Sequence, residues 1–302
     1  MNVSRAGQPF LVAAWSAAHL EAVEQALSRW VVAQAPAGLG DSMRYAVLDG
    51  GKRLRPLLVL AASEAVHGNT AASLRAACAV ELIHAYSLVH DDMPCMDNDV
   101  LRRGKATVHV KFGQAQALLA GDALQALAFE LLTPEPDEVP VAIQASLCRL
   151  LARAAGHEGM AGGQAIDLAS IGQALDEDQL RQMHRLKTGA LLQGSVLMGA
   201  ACGSPDVRAS AALAVYGAAV GLAFQVVDDI LDVTADSHTL GKTAGKDAQQ
   251  DKPTYVSVLG LERSRDYAGD LLVQARDALA CSGLAETRAL LALAEMVVNR
   301  DN

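Results

Sequence analysis

Residues 210–232 have the sequence SAALAVYGAAVGLAFQVVDDILD, which carries no charged side chain before Asp228. Alanine and other apolar residues dominate this segment, and alanine is the strongest helix former. A helix that is apolar on every face is buried inside a protein. Residues 71–91 form a second segment of this kind. Together they predict an all-α protein, a large helical bundle with its central helices in the core.

The composition of the whole chain agrees with this prediction. Apolar residues make up 51% of the 302 residues and aromatic residues only 4%. Strand-type runs of β-branched and aromatic residues are scarce, which argues against a β-sandwich or barrel. Glycine and proline residues separate further helical segments of about ten to twenty-five residues. We therefore expect a single domain over residues 1–302, with residues 1–19 as a loosely ordered N-terminal extension.

The charge and the cysteines narrow the class of protein. A net charge of −9 argues against nucleic acid as a partner, because phosphate-backbone binding requires a basic surface. The five cysteines are scattered and form no CxxC pair, which favours a reduced, cytoplasmic location over a disulfide-bonded or zinc-binding protein. The seven lysines lie mostly near Gly-rich or Asp-rich segments, a pattern that suits an anionic small molecule.

Two segments have features of export or membrane signals. Arg5 and the apolar residues 10–18 resemble a weak signal peptide, but Glu21 and Glu24 continue the segment with helical spacing. Residues 209–227 are long enough to span a bilayer, yet they contain polar side chains and run directly into aspartates. We expect neither export nor stable membrane insertion.

A first acidic cluster, DDMPCMDND at residues 91–99, follows one of the buried helices. Carboxylates at a helix C-terminus oppose the helix dipole, and Pro94 should end or kink the helix. Without that break, Asp91 and Asp97 would point about 120° apart. With it, Asp97 can rejoin Asp91 and Asp92 around one cation. A solvated run of charge at a helix end is the alternative interpretation.

The second acidic cluster, at residues 228–232, ends the other buried helix. Asp228 and Asp232 are four residues apart, and therefore about 40° apart on one helix face. A solvated run of charge is a poor explanation for two acidic clusters that both lie at the ends of buried helices. Their hard oxygen ligands suit Mg²⁺, which uses one or two carboxylates, keeps waters and bridges to phosphates. Two clusters that face each other would hold a diphosphate.

Cationic residues that can contact phosphate follow a glycine turn in residues 50–56, GGKRLRP. Lys52 and Arg55 share a helix face, although basic decoration of a helix start is the alternative. His84 lies seven residues before Asp91, about 20° away on the same face, and is either a ligand contact or a core histidine. No GxSxG elbow or P-loop occurs in the sequence, which favours metal-assisted, electrostatic chemistry over covalent catalysis.

In combination, these motifs resemble the trans-type isoprenyl diphosphate synthases, and in particular the bacterial farnesyl diphosphate synthases. The resemblance extends from about Leu20 to the end of the sequence. Its motifs occur in the family's order and are specific jointly rather than singly. They are residues 50–56, 84–104, 108–112, 121–124, 162–168, 187–189, 224–232 and 241–255.

The resemblance implies an all-α, isoprenoid synthase-like fold with a central apolar substrate cavity. It implies that an allylic diphosphate, dimethylallyl or geranyl, loses pyrophosphate, that isopentenyl diphosphate attacks the resulting cation, and that a proton then leaves. It also implies three Mg²⁺ ions, which Mn²⁺ can replace, and a homodimer. Concentrated positive charge around the diphosphate and apolar walls would promote ionisation and exclude water.

The same resemblance assigns roles to individual residues. The metal ligands are aspartates of both acidic clusters: Asp91, Asp92, Asp97, Asp228 and Asp232. The allylic diphosphate site contains cationic and polar residues: Arg102, Lys187, Thr188, Gln225, Lys242 and Lys252. The isopentenyl diphosphate site contains four residues: Lys52, Arg55, His84 and Arg103. The residues expected to act in catalysis are Asp91, Asp92, Asp97, Lys187, Asp228 and Lys242.

Tyr86 and Ser87 are expected to set the chain length of the product. Tyr86 lies five residues before Asp91, about 7–8 Å back along the helix axis. In similar enzymes, a large residue there limits the product to about fifteen carbons, and smaller residues admit longer chains. A core tyrosine that packs between helices is the alternative role. The resemblance favours farnesyl diphosphate as the product, with geranylgeranyl diphosphate as the alternative.

Some positions depart from the family pattern, and rival functions are open. Val100 replaces a usual acid, Ala106 a usual proline and Asp251 a usual glycine beside Lys252, which weakens the assignment of Lys252. A class I terpene cyclase is one rival, but such cyclases usually combine Asn, Ser and Glu in the second motif and have aromatic cavities. A non-catalytic partner subunit is another, but it should have lost the acidic ligands.

Overall fold

A computed structural model of the chain describes residues 10–48, 50–173, 175–234 and 253–300. Lys242 and Lys252, two predicted contacts of the allylic diphosphate, lie outside the described residues. The regular structure within these ranges is almost entirely helical, which confirms the predicted all-α fold.

The helices follow one another with short connections. Their bounds are α1 (Val12–Trp30), α2 (Leu39–Val47), α3 (Leu54–Ala65), α4 (Thr70–Asp91), α5 (Val108–Phe112), α6 (Gln114–Leu132), α7 (Val141–Ala155), α8 (Met160–Ala169), α9 (Glu177–His184), α10 (Ala190–Ala201), α11 (Val207–Thr234), α12 (Tyr255–Leu259), α13 (Leu261–Cys281) and α14 (Arg288–Val298). A 3₁₀ turn, Pro36–Gly38, precedes α2, and a π-helical turn, Arg185–Gly189, joins α9 to α10.

The two segments predicted as buried helices are α4 and α11. The Asn69 side chain caps α4 by accepting a hydrogen bond of 2.8 Å from the Ala72 backbone N–H. The helix ends at Asp91, three residues before Pro94. α11 is 28 residues long and ends at Thr234. Both acidic clusters therefore lie at the C-terminal ends of long helices, as expected.

Within the described residues, the core consists of two large apolar clusters that share the helices α3 and α10, and a small third cluster of Val89, Val108 and Ala117. Of the two large clusters, one is centred on α4, α6 and α7, and the other on α11, α13 and α14. α3 contributes Val59 to the first cluster and Leu58 to the second, and both side chains are fully buried. Because α3 and α10 pack on both sides, they fix the position of α4 relative to α11.

In the part of the chain that the structure describes, three helices are long and apolar enough to cross a membrane by length and composition: α4, α6 and α11. In α4 and α11, 67% and 56% of the apolar window is buried inside the protein. Core packing therefore explains most of the apolar character of these two helices. In α6 only 39% of the window is buried, so this helix presents an uncovered apolar face.

Much of the predicted N-terminal extension is helical. α1 begins at Val12, so residues 12–19 are not loosely ordered, in contrast to the expectation. The helix is held against α3, because Trp15 Nε1 donates to Glu64 Oε2 at 2.8 Å and His19 Nε2 lies 2.8 Å from Glu64 Oε1. Burial of Val23 and other apolar residues farther along α1 completes the docking.

A small antiparallel hairpin follows the first acidic cluster. It pairs β1 (Leu101–Arg102) with β2 (Lys105–Ala106). The two turn residues, Arg103 and Gly104, have positive φ angles of 51° and 75°. Positive φ at both central positions is characteristic of the tight turns that match strand twist. The hairpin returns Arg102 to the acidic loop, where it contacts Asp92, and brings Arg103 to the glycine turn at Gly50.

Candidate active site

The first acidic cluster folds back on the end of α4. After the helix ends, the Asp97 backbone N–H donates to the Asp91 carbonyl oxygen at 2.8 Å, and the Asn98 N–H donates to Met93 O at 3.1 Å. Asn98 adopts a positive φ of 52°, which tightens this turn. The structure thus confirms that the break around Pro94 returns Asp97 to Asp91.

The Asp91 carboxylate is in an unfavourable electrostatic position. Burial, with smaller contributions from Asp97 and Asp92, raises the pKa of Asp91 to about 6, although Lys187 and Arg102 oppose the shift. Desolvation and like charges both disfavour an ionised carboxylate. A strongly perturbed acid beside a lysine is characteristic of functional sites.

Asp92 differs from its neighbour. Both of its oxygens accept hydrogen bonds from Arg102, at 2.6 to 3.0 Å. Its side chain is 3% exposed, and that of Arg102 is 36% exposed. Asp92 therefore holds Arg102 by a bidentate bond, which is a strong and directional contact. The structure gives Asp92 a role in orienting Arg102, and its role as a metal ligand stays a prediction.

Lys187 and Thr188 lie in the π-helical turn, which two glycines clamp. A Cβ at Gly163 on α8 would lie 2.0 Å from Lys187 N, and a Cβ at Gly221 on α11 would lie 2.9 Å from the Cα of Gly189. Such distances require that both positions lack a side chain. π-helical turns occur frequently at functional sites. Sequence patterns did not indicate this turn.

The position of the Lys187 ammonium group is set by Asp167. Lys187 Nζ donates to Asp167 Oδ2 at 2.6 Å, and Asp167 is 5% exposed. Lys187 also acts electrostatically on Asp91, so it connects α8 to the first acidic cluster. Asp167 was not among the predicted site residues. The sequence signal that could have identified Asp167 is its position as the lone aspartate in the apolar segment 160–169.

The second acidic cluster contains one exposed and two buried aspartates. Asp228 Oδ1 accepts a short hydrogen bond from Arg300 Nη2, and 39% of its side chain is exposed. Arg300 also donates to Phe224 O at 2.9 Å and lies 4.2 Å from the centre of the Phe224 ring. Asp232 is 6% exposed. Arg300 was missed by sequence reasoning, because 72 residues separate it from Asp228.

Gln225 and Thr188, both predicted for the allylic site, are in direct contact. Thr188 Oγ1 donates to Gln225 Oε1 at 3.0 Å, and Gln225 Nε2 donates to Asp229 Oδ1 at 2.8 Å. The second Asp229 oxygen accepts from the Tyr255 backbone N–H at 2.8 Å. The contact joins the π-helical turn to α11.

A separate group of cations surrounds His84. Burial is the main reason that the pKa of His84 lies well below its usual range, and Arg55 and Arg103 act in the same direction. Arg55 Nε is buried and has no hydrogen-bond partner within the described part of the chain. A buried guanidinium with an unused donor is costly unless an anion binds. The predicted isopentenyl diphosphate residues Arg55, His84 and Arg103 are therefore close together.

Lys52 lies between this cation group and the second acidic cluster. Burial lowers the pKa of Lys52, Arg300 acts in the same direction, and Asp228 opposes them. Arg103 Nη1 donates to Gly50 O at 2.9 Å. A Cβ at Gly51 would lie 2.8 Å from Arg103 Nη1, so the glycine turn makes room for this guanidinium.

Arg53 is more deeply buried than its basic neighbours Lys52 and Arg55. Its positive φ of 45° turns the side chain inward, where it is 3% exposed. It donates to Glu24 Oε1 at 2.7 Å, to Glu81 Oε1 at 2.6 Å and to Val47 O at 2.6 Å. Arg53 thus connects α1, α2 and α4.

The two residues expected to control product length lie on α4 before the acidic cluster. Tyr86 is half-buried and packs against the α4–α6–α7 core, with its ring centre 5.6 Å from that of His90. Ser87 Oγ donates to the His84 carbonyl oxygen at 2.8 Å. Tyr86 therefore has the core-packing role, and its control of product length stays a prediction.

Mg²⁺ fits the donor set of the first cluster. Asp91 and Asp97 bring two carboxylates into a poorly solvated position, and a divalent cation would relieve their repulsion. Within the described ranges, no three acidic, histidine or cysteine side chains lie close enough to hold a metal alone. The remaining ligands would be water and diphosphate oxygens, which is usual for Mg²⁺.

The fold and the site define a helical protein of the isoprenoid synthase class, with acidic helix ends next to buried cations. The model of the Polyprenyl synthetase family matches residues 36–280, and the chain belongs to this family.

Relatives and solved structures extend this assignment. A probable farnesyl diphosphate synthase of Sinorhizobium fredii is 50% identical over 275 residues, which cover 89% of this chain and 82% of the relative. A chloroplastic geranylgeranyl pyrophosphate synthase of Catharanthus roseus is 45% identical, with coverages of 93% and 79%. The geranyltransferase of Helicobacter pylori, solved with magnesium and isoprenyl diphosphate, has a TM-score of 0.83 and 34% identity, with coverages of 97% and 98%.

Proposed function

We propose that the protein condenses isopentenyl diphosphate with dimethylallyl and geranyl diphosphates to give farnesyl diphosphate. The observation that carries this proposal is that the cations form two groups, each of which could bind a diphosphate. Arg55 and Arg103 lie around His84, whereas Lys187 and Arg102 lie at the first acidic cluster, and Arg55 Nε is without a partner within the described residues. A reaction that joins two diphosphates requires two such groups, whereas a cyclase or a phosphatase requires one.

Each group of cations has a defined task in the proposed reaction. Lys187 and Arg102, held by Asp167 and Asp92, would bind the allylic diphosphate and stabilise charge on the departing pyrophosphate. The cations near His84 would hold isopentenyl diphosphate so that its double bond faces the allylic carbon. An apolar cavity between the helices would exclude water from the carbocation.

Mg²⁺ is the proposed cofactor, with three ions bound and Mn²⁺ able to substitute. Asp91 and Asp97 would hold it at the first cluster, and Asp228, with Asp232, at the second. When bound, it would supply the positive charge that favours departure of pyrophosphate. The magnesium and isoprenyl diphosphate in the Helicobacter pylori structure support this choice.

Incubation of the purified chain with dimethylallyl diphosphate, isopentenyl diphosphate and Mg²⁺ tests the proposal. We expect a fifteen-carbon diphosphate, detected by mass spectrometry after phosphatase treatment, and no product when EDTA is present. A hydrocarbon product from geranyl or farnesyl diphosphate alone would instead show a terpene cyclase. Release of pyrophosphate without carbon–carbon bond formation would refute prenyl transfer.

Geranylgeranyl diphosphate is the second candidate product, since overall identity to the two kinds of synthase differs little. Tyr86 is the residue that favours the shorter product. We expect Tyr86→Ala to shift the main product from fifteen to twenty or more carbons, because the floor of the cavity is removed. Tyr86→Phe keeps the ring volume and should leave the product unchanged. Identical product profiles for wild type and Tyr86→Ala would remove Tyr86 from this role.

We also propose that the protein is a homodimer in which a second copy covers α6. Leu118 and Leu119 on this helix are 46% and 52% exposed, and Val110 on α5 is 49% exposed. Contiguous exposed apolar side chains mark interaction surfaces. Light scattering after gel filtration should give a dimer mass for wild type and a monomer mass for Leu119→Asp. Val207→Asp, at an 88% exposed site on α11, is the matched control and should remain dimeric.

A cytoplasmic location completes the proposal. All five cysteines are free thiols, and Cys78 and Cys202 are buried. Burial raises the pKa of the Cys202 thiol to about 12, so it is unreactive as a thiolate. Unpaired, buried thiols are compatible with a reducing compartment, and cell fractionation tests the location.

A further inference from the structure

The middle aspartate of the second acidic cluster is turned away from its neighbours. Successive residues of a helix point about 100° apart, so Asp229 cannot share a face with Asp228. Asp229 is 2% exposed. Its two oxygens accept hydrogen bonds of 2.8 Å, one from Gln225 Nε2 and one from the Tyr255 backbone N–H. Its carboxylate is thus directed into the protein.

The chemistry of these groups fixes the orientation of the Gln225 amide. A carboxylate accepts hydrogen bonds and cannot donate, so the amide nitrogen of Gln225 must face Asp229. The amide oxygen then faces Thr188, at 3.0 Å from Oγ1. An amide oxygen only accepts, so the Thr188 hydroxyl hydrogen points to Gln225, and its lone pairs point elsewhere.

Packing closes this chain of contacts into a ring. Tyr255 is 0% exposed, and its side chain stacks on His184, with ring centres 5.3 Å apart. His184 is the last residue of α9 and directly precedes the π-helical turn that carries Thr188. Contacts therefore run from α11 through α12 and α9 to the turn, and back through Thr188 to α11.

The neighbouring His184 imidazole does not compete for the Asp229 carboxylate. Burial lowers the pKa of His184 to about 4, so the imidazole is neutral near pH 7. Its Nε2 is 3.9 Å from Asp229 Oδ2, which is beyond hydrogen-bond distance. His184 therefore does not displace the Gln225 and Tyr255 donors from the carboxylate.

We propose that Asp229 is a positioning residue of the allylic substrate site, which fixes the Gln225 amide and, through it, the Thr188 hydroxyl group. This role deepens the proposed function and rests on it. It distinguishes Asp229 from Asp228: the first orients site residues, whereas the second is the expected metal ligand. Small displacements of positioning groups can lower rates by about 10²-fold.

Asp229→Asn tests the role with almost no change in shape. The asparagine side chain has one acceptor oxygen for two donors, so either the Gln225 or the Tyr255 contact is lost. We expect kcat/KM for the allylic diphosphate to fall about 10- to 100-fold. KM for isopentenyl diphosphate and the half-saturating Mg²⁺ concentration should stay within about twofold. Asp228→Asn is the comparison variant and should raise the Mg²⁺ requirement.

A double-mutant cycle with Gln225→Ala decides whether Asp229 acts through Gln225. In the Gln225→Ala background, Asp229→Asn should lower kcat/KM less than about threefold, because the group that it positions is absent. An equal loss in both backgrounds would overturn the proposal. So would a rise in Mg²⁺ requirement like that of Asp228→Asn.

Unfolding in urea gives a reading that does not depend on activity. We expect each single variant to lower the midpoint, and the double variant to lower it little further than the more damaging single one. Fully additive shifts would refute the Asp229–Gln225 contact. If wild type formed no condensation product, the proposed function would fail, while this measurement would still judge the contact.

Discussion

Asp91→Asn is expected to lower kcat for condensation by about 10³-fold, the scale of losing a group that stabilises developing charge. Asparagine keeps the shape of the side chain but removes the negative charge on which Mg²⁺ binding at the first cluster depends. Steady-state rates at saturating substrate and a series of Mg²⁺ concentrations measure the effect. Helix content by circular dichroism should be unchanged, because Asp91 lies at the very end of α4.

Asp137→Asn is the matched control, since Asp137 is an exposed aspartate between α6 and α7. It should retain wild-type rate and Mg²⁺ dependence. If Asp91→Asn kept a rate within about tenfold of this control, far short of the expected loss, Asp91 would not be a metal ligand.

The raised pKa of Asp91 also leads us to expect that the stability of the metal-free protein depends on pH. Burial raises the folded-state pKa of Asp91 to about 6, above its value in the unfolded chain. The folded protein therefore binds a proton more tightly, and stability is lost as pH rises from about 4 to 6. The loss is about 2–3 kcal/mol by linkage. Asp91→Asn should abolish this loss, which urea titrations at several pH values would detect; an unchanged slope would refute the shift.

Arg53→Met is expected to destabilise the protein by about 3–5 kcal/mol, the usual effect of breaking a buried ion pair from one side. The substitution keeps apolar bulk but leaves Glu81, which is 4% exposed, without its guanidinium partner. It also removes the contact that holds α1 through Glu24. The free energy of unfolding from urea titrations measures the effect.

Arg149→Met, at an exposed position on α7, is the control and should change stability by less than about 0.5 kcal/mol. Combining Arg53→Met with Glu81→Gln should recover part of the loss, because the uncompensated charge is removed. Equal stability of Arg53→Met and the control would mean that Arg53 does not connect these helices.

The helical scaffold could be predicted because its signals are local. The apolar character of residues 71–91 and 210–232 identified the two buried helices, and Pro94 identified the turn that returns Asp97 to Asp91. Each of these signals acts within a few residues, where helix geometry and proline sterics are well defined. The predicted shared helix face of Lys52 and Arg55 was wrong, because α3 begins at Leu54 and the positive φ of Arg53 leaves Lys52 outside the helix.

Individual side-chain directions could not be predicted. In the sequence, nothing distinguishes Arg53 from the nearby cations Lys52 and Arg55, yet a positive φ turns it into the core. Asp228 and Asp229 are adjacent in sequence, but helical rotation gives them different partners. Asp167 and Arg300 act across 20 and 72 residues, distances over which sequence spacing carries no signal.

Regular patterns also could not reveal departures from regular geometry. The π-helical turn at Lys187 follows from close packing against Gly163 and Gly221, and two-residue strands are too short for a periodic pattern. Tertiary packing decides both features, so they became visible only when the helices were assembled.

The glycine clamp around the π-helical turn bears on how this scaffold could be altered by directed evolution. Saturation libraries at Gly163 and Gly221 should yield few active clones besides the parent, because any added side chain meets main-chain atoms of the facing segment. Randomising Tyr86 and Ser87 meets no such obstacle. Variants with an altered product length should therefore carry substitutions along α4. The sequence of the π-helical turn that contains Lys187 should stay unchanged among the selected variants.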